Sequence, residues 1–550
     1  MRGPRTIVGH NVYAFDCLAL EQDGVSFDYD HVEDTLLAHH AYASHLPQRM
    51  DQAVSVYLDS GPWKVKAGRR GAEEKGLAPH LMDADDLCRY NAEDCRLEAS
   101  LWQAMQSDID GERKVYEHDK KLALLCQGMS RAGVRVDLER QAELRKLLRN
   151  RAGGLLGEMR KLVGRRAFHP MRAKDLRKAL YGQFRLPMLL PTPTGLPATS
   201  KFVLQGIRYQ DTRAGHLADL VLRYRSAMKA KSTYVDGLEV LSDERVHASW
   251  KAFGTVSGRL SCRLQQFPRM KLTRAASRML SKASKEERDG ILHDPESYEL
   301  ETRIRELIIP AEGYEFVYFD VAQAEMKLAA QLSGDENFIR VCAQKDVHAA
   351  NACLIWPDLA EMILADPKGK GAFYRSVAKN TGFAVNYLAG EETLHARINA
   401  ENLAVPVSMK QVRAMLSMLH KEFKVHFKYI DNNVRFVQQN GFMRTPFGRI
   451  RWFGVSPPPT EIANFPVQGG VADIVNERLI RLNPRLPSSC PMVMQIHDAA
   501  IFECPKGEPA NTTEKLIREV WDEDVVLPTN GRRFKLPIDL KRAERLSDLG

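Results

Sequence analysis

A chain of 550 residues with a net charge of +9, 44% hydrophobic and 27% charged residues is long enough for three or four domains at roughly 150 residues each. These proportions belong to a folded globular protein and exclude a peptide, a small disulfide scaffold or a low-complexity chain. Nine scattered cysteines without a CxxC pair, and no uncharged apolar run near 18 residues, argue against structural zinc, a membrane span or a secretory leader and for a reducing cytoplasm.

Residues 1–110 mix short strand-like and helix-like runs around a Gly/Lys/Arg-rich interruption at 64–76. Residues 113–245 read as basic helices, one of them over 137–161, broken by a Pro/Thr/Gly stretch at 187–197. From Arg113 to Leu186 there are 20 Lys/Arg against 7 Asp/Glu, a local excess larger than that of the whole chain, which points to a polyanionic partner. Beyond residue 246, strand-like runs at 315–319, 492–496 and 499–502 alternate with long helical segments. Residues 281–305 are charged and poor in apolar side chains and are expected to form a surface insertion.

Three segments carry chemistry. At 314–335, an aromatic and β-branched strand ends in Asp320 and an apolar helical pattern follows, a common position for a metal ligand and equally for a helix cap. At 492–503, two apolar runs flank His497 and Asp498 as in a tight hairpin. If that hairpin pairs beside the Asp320 strand, two carboxylates meet in one crevice, and a divalent cation such as Mg²⁺ offsets their repulsion. At 371–390, Arg375, Lys379, Phe383 and Tyr387 recur every four residues, a helical stripe drifting about 40° per step. Two cations followed by two aromatics suit a helix that holds a phosphate chain at one end and stacks on a base at the other.

In this order the segments resemble the family A DNA polymerases, the bacterial polymerase I and phage replicative group. DVAQAEMK at 320–327 looks like the family's first motif, RSVAKNTGFAVNY at 375–387 like its second and QIHDAAIFE at 495–503 like its third. YRSAMKAKSTYVDGL at 224–238, TVSGRLSCRLQQFP at 255–268, RTPFGRIRWF at 444–453 and NFPVQGGVADIV at 464–475 extend the similarity from about residue 115 to 550. The resemblance implies a right-hand α+β fold: thumb 113–245, palm 246–334 and 456–550, fingers 335–455. It implies template-directed DNA synthesis on primer-template DNA from deoxynucleoside triphosphates by a monomer. Asp320 and Asp498 would hold two Mg²⁺ ions, with Mn²⁺ as a substitute. Arg375 and Lys379 would bind the triphosphate, Lys379 also giving a proton to pyrophosphate, and Phe383 and Tyr387 would pack at the nascent base pair. Glu325 would exclude ribonucleotides; Arg259, Gln468 and His497 would contact primer-template, and Arg449 its backbone. Single-subunit RNA polymerases share the two Asp residues and the Arg/Lys helix but differ at the positions of Glu325 and Phe383.

The chain departs from the family pattern at Ala499, where a supporting Glu usually follows the third-motif Asp, at Val321, Ala322 and Ala384, and in a shortened 261–263 segment. In the first 110 residues, VGHNVYAFD at 8–16 and YNAEDCRLEASLW at 90–102 resemble the second and third motifs of the DEDD 3′–5′ exonucleases. There Asp16 and Asp94 would be metal ligands and Tyr90 would orient water. The first motif of that fold should lie upstream of Asp16, so 1–110 is expected to be a truncated RNase H-like α/β exonuclease domain with negligible proofreading, a reduction that fits a phage enzyme.

Overall fold

The computed structural model describes residues 6–549 apart from 61–82, 209–211, 281–282, 284–286, 288–289, 293, 368, 389 and 400–406, and leaves out the side chains of 274, 277, 278, 295 and 383–387. The stacking expected of Phe383 and Tyr387 therefore lies outside the described residues, as does the interruption at 64–76.

Near the N-terminus, strands Ile7–Gly9 and Val32–Asp34 pair in parallel. The Asp34 side chain accepts from the backbone N–H groups of Leu36 and Leu37 and so starts the helix Thr35–Ala43. Helices α1 (Ala84–Ala104) and α2 (Gln106–Ala132) follow, α1 capped by Asp83. The helix expected over 137–161 is α3, Leu138–Val163, capped by the Asp137 carboxylate on the Arg140 N–H and closed by Gly164 in the left-handed region at φ 70°. Its buried Leu155 and Met159 pack on Leu217 and Val221 of α4, Arg213–Lys229. Lys146 and Arg149 of α3 stay exposed, so the basic character of this region faces solvent.

A four-stranded antiparallel sheet lies at the centre, made of β1 (Tyr314–Val321), β2 (Met492–Ile496), β3 (Ala499–Pro505) and β4 (Ile538–Ala543), in the order β4-β1-β3-β2. Strand alternation points Val317, Phe319 and Val321 to a buried face, where the Phe319 ring lies 4.2 Å from Trp521. Tyr318 and Asp320 alternate with them. Between β1 and β2 the chain is almost wholly helical: α5 (Ala324–Ser333), α6 (Val347–Ile355), α7 (Ala372–Tyr387), α8 (Met409–Glu422), α9 (Lys424–Asn440) and, after a hairpin of Phe442–Arg444 with Ile450–Trp452, α10 (Pro459–Leu482). One apolar core runs from Val12, Leu101 and Tyr116 through Phe316 and Phe502 to Trp521, so the N-terminal segment and the sheet share an interior. Among the described residues no helix is long and apolar enough to cross a membrane.

The surface insertion expected at 281–305 fails at its end. Residues 300–307 form a 3₁₀ helix in which Thr302, Arg303, Ile304, Arg305, Glu306 and Leu307 are all buried. Ile304 and Leu307, three apart, anchor it in the core. Its charges pair instead of solvating: Arg303 Nε donates to Glu306 at 2.9 Å, and Arg140 Nε of α3 donates to the same carboxylate at 2.7 Å.

A second correction concerns Arg449. It is 1% exposed, donates two bonds to Asp119 of α2 at 2.9 and 2.7 Å, and a third to Asp473 of α10 at 3.2 Å. A DNA phosphate does not reach a guanidinium so enclosed. Burial alone would push Asp119 up, but the paired guanidinium holds it well below the ordinary carboxylate range. Arg449 also explains a glycine. Gly258 sits at φ +76°, and a Cβ there would lie 2.4 Å from Arg449 Nε, so the loop that carries Arg259 rests directly on this buried cation. Removing one partner of a buried ion pair typically costs about 3–5 kcal/mol. Arg449→Ala should therefore lower unfolding stability by about that amount in denaturant titration, and a loss under about 1 kcal/mol would show that water reaches Asp119.

Candidate active site

The turn of the β2–β3 hairpin is the two residues His497 and Asp498, since Ile496 pairs with Ala499. His497 takes φ 56°, the positive value such a turn demands. Ala499 also pairs with Asp320 across β3 and β1, so Asp498, next in the chain to Ala499, comes to the end of the strand that bears Asp320. The two expected carboxylates line one cavity of about 530 Å³. Burial first, and then the negative charge of Asp498, push the Asp320 carboxyl above its ordinary value.

Glu325 enters the same cavity from the first turn of α5. Gln323, at φ 56°, caps that helix in the left-handed region and turns the chain sharply out of β1. Arg259 Nη2 then donates to Glu325 at 2.6 Å and to Asp498 at 3.4 Å. Burial, partly offset by Arg259, leaves the Glu325 carboxyl above its ordinary value. Burial, then Arg259, lower His497, while Asp498 pulls the other way.

Five further residues line the cavity that sequence reasoning missed: Arg269, Arg305, His348, Asp539 and Lys541. Asp539 pairs directly with Asp320 from β4, on the side away from Ala499, which places both on one face. Its D-x-K alternation with Lys541 is a sequence signal only once β4 is known to flank β1. Arg305 arrives through the 3₁₀ helix that composition assigned to the surface.

The α7 helix presents Arg375 and Lys379 as expected. Arg375 Nε donates to Asp346 at 2.6 Å, and Asp346 caps α6 through the N–H groups of His348 and Ala349. His348 is held down to about 4 by burial, then by Arg375, and also by Lys379, with Asp346 opposing. A neutral imidazole thus lines the carboxylate cavity, whereas Arg375 and Lys379 do not line it. Lys379 is exposed. Gln468 is half-buried on α10 and does not line the cavity. The two glycines after it let α10 approach its neighbours: a Cβ at Gly469 would lie 2.5 Å from Thr445 Cγ2, and one at Gly470 2.8 Å from Leu328 Cδ2.

Among the described residues, no group of three His, Cys, Asp or Glu side chains lies close enough to hold a metal ion unaided. Asp320 and Asp498 still suit a hard divalent cation, because their mutual repulsion is what such an ion removes, and phosphate oxygens and water commonly complete its shell.

Of the N-terminal candidates, Asp16 begins the helix Asp16–Gln22, while Tyr90 and Asp94 lie one turn apart on α1. One further turn on is Glu98, a residue that the sequence did not single out. Burial, then the charges of Asp34, Asp16 and Asp94, push Glu98 up to about 7. Asp16 and Asp94 thus both raise Glu98, although among the described residues no three of these carboxylates lie close enough to hold a metal ion.

A family model described as DNA polymerase family A matches residues 138–544. The thermostable DNA polymerase I of Thermus aquaticus is 29% identical over 480 residues, 84% of this chain and 50% of that protein. DNA polymerase I of Chloroflexus aurantiacus is 24% identical over 480 residues, 83% of this chain and 47% of that protein. The chain thus spans about half the length of these curated relatives. A solved structure described as the POL domain of Pol1 from M. smegmatis, in complex with DNA primer-template and dNTP, superposes with a TM-score of 0.75 at 20% identity, covering 99% of this chain and 86% of that one. The two share a fold.

The Glu98 carboxyl makes stability fall with rising pH. Its folded value near 7 exceeds the unfolded carboxylate value, so the proton is bound more tightly in the folded state, and that contribution is lost between about pH 4.5 and 7. Glu98→Gln should raise the unfolding free energy at pH 8 by on the order of 1 kcal/mol after solvent screening, and the gain should shrink by pH 5. An equal gain at both pH values would remove the titration from the account.

Proposed function

The chain belongs to DNA polymerase family A, and on that footing we propose that it extends a DNA primer along a template, joining deoxynucleoside monophosphates to the 3′-hydroxyl and releasing pyrophosphate. The observation that carries this reading is the cavity in which Asp320 and Asp498 meet at adjacent strand ends with Glu325 and Arg259 beside them. We read 113–245 as the thumb, 246–334 and 456–550 as the palm and 335–455 as the fingers, acting as a monomer on primer-template DNA and deoxynucleoside triphosphates. The solved relative, described with those same ligands, supports the pairing.

Family A polymerases are generally divalent-metal dependent. Asp320 and Asp498 are the residues that would hold two Mg²⁺ ions, or Mn²⁺ in their place, which when bound supply activation of the 3′-hydroxyl and neutralisation of the triphosphate. Arg375 and Lys379, one helical turn apart on α7, bind the triphosphate, and Lys379 protonates the departing pyrophosphate. His348, held neutral, donates or accepts a hydrogen bond beside them without adding charge. Arg259 braces Glu325 so that its carboxylate lies against the 2′ position of the incoming sugar and leaves no room for a hydroxyl. Phe383 and Tyr387 stack at the nascent pair, and Gln468 and His497 touch the primer-template. Arg449 acts through Gly258, seating the Arg259 loop. Asp16, Tyr90 and Asp94 belong to segments that resemble a 3′–5′ exonuclease site.

Asp498→Ala should reduce primer extension by on the order of 10³-fold or more while primer-template affinity stays within about threefold; unchanged extension would refute the metal assignment. Glu325→Ala should raise the use of ribonucleotides relative to deoxynucleotides by about tenfold or more. An unaltered ratio in paired single-turnover assays would take the sugar-gating role away from Glu325.

A further inference from the structure

A second cavity, of about 230 Å³, shares no lining residue with the first. It lies where α2, the 445–449 turn, α10 and the segment after Trp521 converge. Its apolar wall is Val115, Phe447, Ile474 and Val525. Two side chains with a buried, unpartnered nitrogen face this wall. Arg478 of α10 is 3% exposed, and although its Nη2 donates to the Glu523 carbonyl at 2.6 Å, its Nη1 is buried without a partner. His118 of α2 has Nδ1 at 3.3 Å from Asp119 and its Nε2 buried without a partner.

A buried guanidinium N–H with nothing to donate to is costly, and burial holds Arg478 below its ordinary value. Of the four acids in the lining, Asp473 pairs with Arg449, Glu477 and Glu523 pair with Arg481, and Asp524 is the fourth. Those four carboxylates disfavour a dianion, whereas a single negative charge is within the capacity of one open guanidinium edge. The cavity has an apolar wall and exceeds the roughly 150 Å³ that holds benzene in an engineered protein cavity.

We propose that this cavity is a binding site for a small aromatic or branched monocarboxylate, its carboxylate taken by Arg478 and its body packed on Val115, Phe447, Ile474 and Val525. The site is independent of the proposed polymerase reading. Because Asp473 belongs both to its wall and to the buried Arg449 pair, an occupant adjoins the support of the Arg259 loop.

The test uses the full chain and methyl-detected NMR, with benzoate as the probe and benzyl alcohol and inorganic phosphate as controls. Benzoate should shift the methyl signals of Ile474 and Val525 with a dissociation constant of about 1 mM or below, at least tenfold tighter than either control. Arg478→Met, which keeps the bulk and removes the donors, should weaken benzoate at least tenfold. Val115→Phe, which fills the cavity from α2 and leaves Arg478 in place, should abolish the shifts, so a failure of the Arg478 variant to fold still leaves a decisive comparison. Equal binding of benzyl alcohol would overturn the carboxylate assignment, and equal binding of phosphate the apolar one. No shift at 10-fold above that benzoate concentration, or shifts that survive Val115→Phe, would overturn the site.

Discussion

A guanidinium at 1% exposure is tolerable only where carboxylates meet it on every open edge, and Arg449 satisfies that condition with two acids from opposite parts of the chain. Asp119 comes from α2, near the N-terminus, and Asp473 from α10, more than 350 residues later. The interaction ties the N-terminal helices to the helix behind the 442–452 hairpin. It also sets the height of the loop at Gly258, and with it the place of Arg259, which bridges Glu325 and Asp498. The charged cavity thus rests on a charge pair that never meets substrate.

The cavity itself is a controlled electrostatic conflict. Asp320 and Asp498 are brought together by hydrogen-bonded strands, whose register leaves no freedom to separate them. Burial and mutual repulsion raise Asp320, and Arg269 and Lys541 partly offset this. Such a site favours whatever supplies positive charge on demand, whereas the α7 cations and the neutral His348 favour a polyanion on the other side. The third carboxylate on that face, Asp539, arrives from β4, while the position on the opposite side of Asp320 is occupied by Ala499.

Several elements were legible from local pattern. The α3 helix announced itself through Asp137, an apolar stripe and Gly164, because capping and period 3.6 are properties of a short window. The β2–β3 hairpin did so through two apolar runs around a two-residue turn. The pairing of that hairpin with the Asp320 strand entered only as a condition, because no local pattern fixes which strands pair, and the register of Ala499 with Asp320 meets it. Residues 300–305 and Arg449 were misjudged because their enclosure is completed by distant segments: Arg140 reaches Glu306, and Asp119 reaches Arg449, across more than 160 residues.

The sequence by itself carried the motifs by which it resembles family A, and it determined the two strand-end carboxylates and the cationic helix, because each of these is written in contiguous residues whose spacing matches a secondary-structure period. Only the tertiary structure decided that Arg449 is a buried support, that Arg305, Asp539 and Lys541 border the same cavity as Asp320, and that burial raises the Glu98 carboxyl. These are contacts between distant segments, and whether a charge is buried and paired depends on which surfaces the fold brings together. No local window of the chain contains that information.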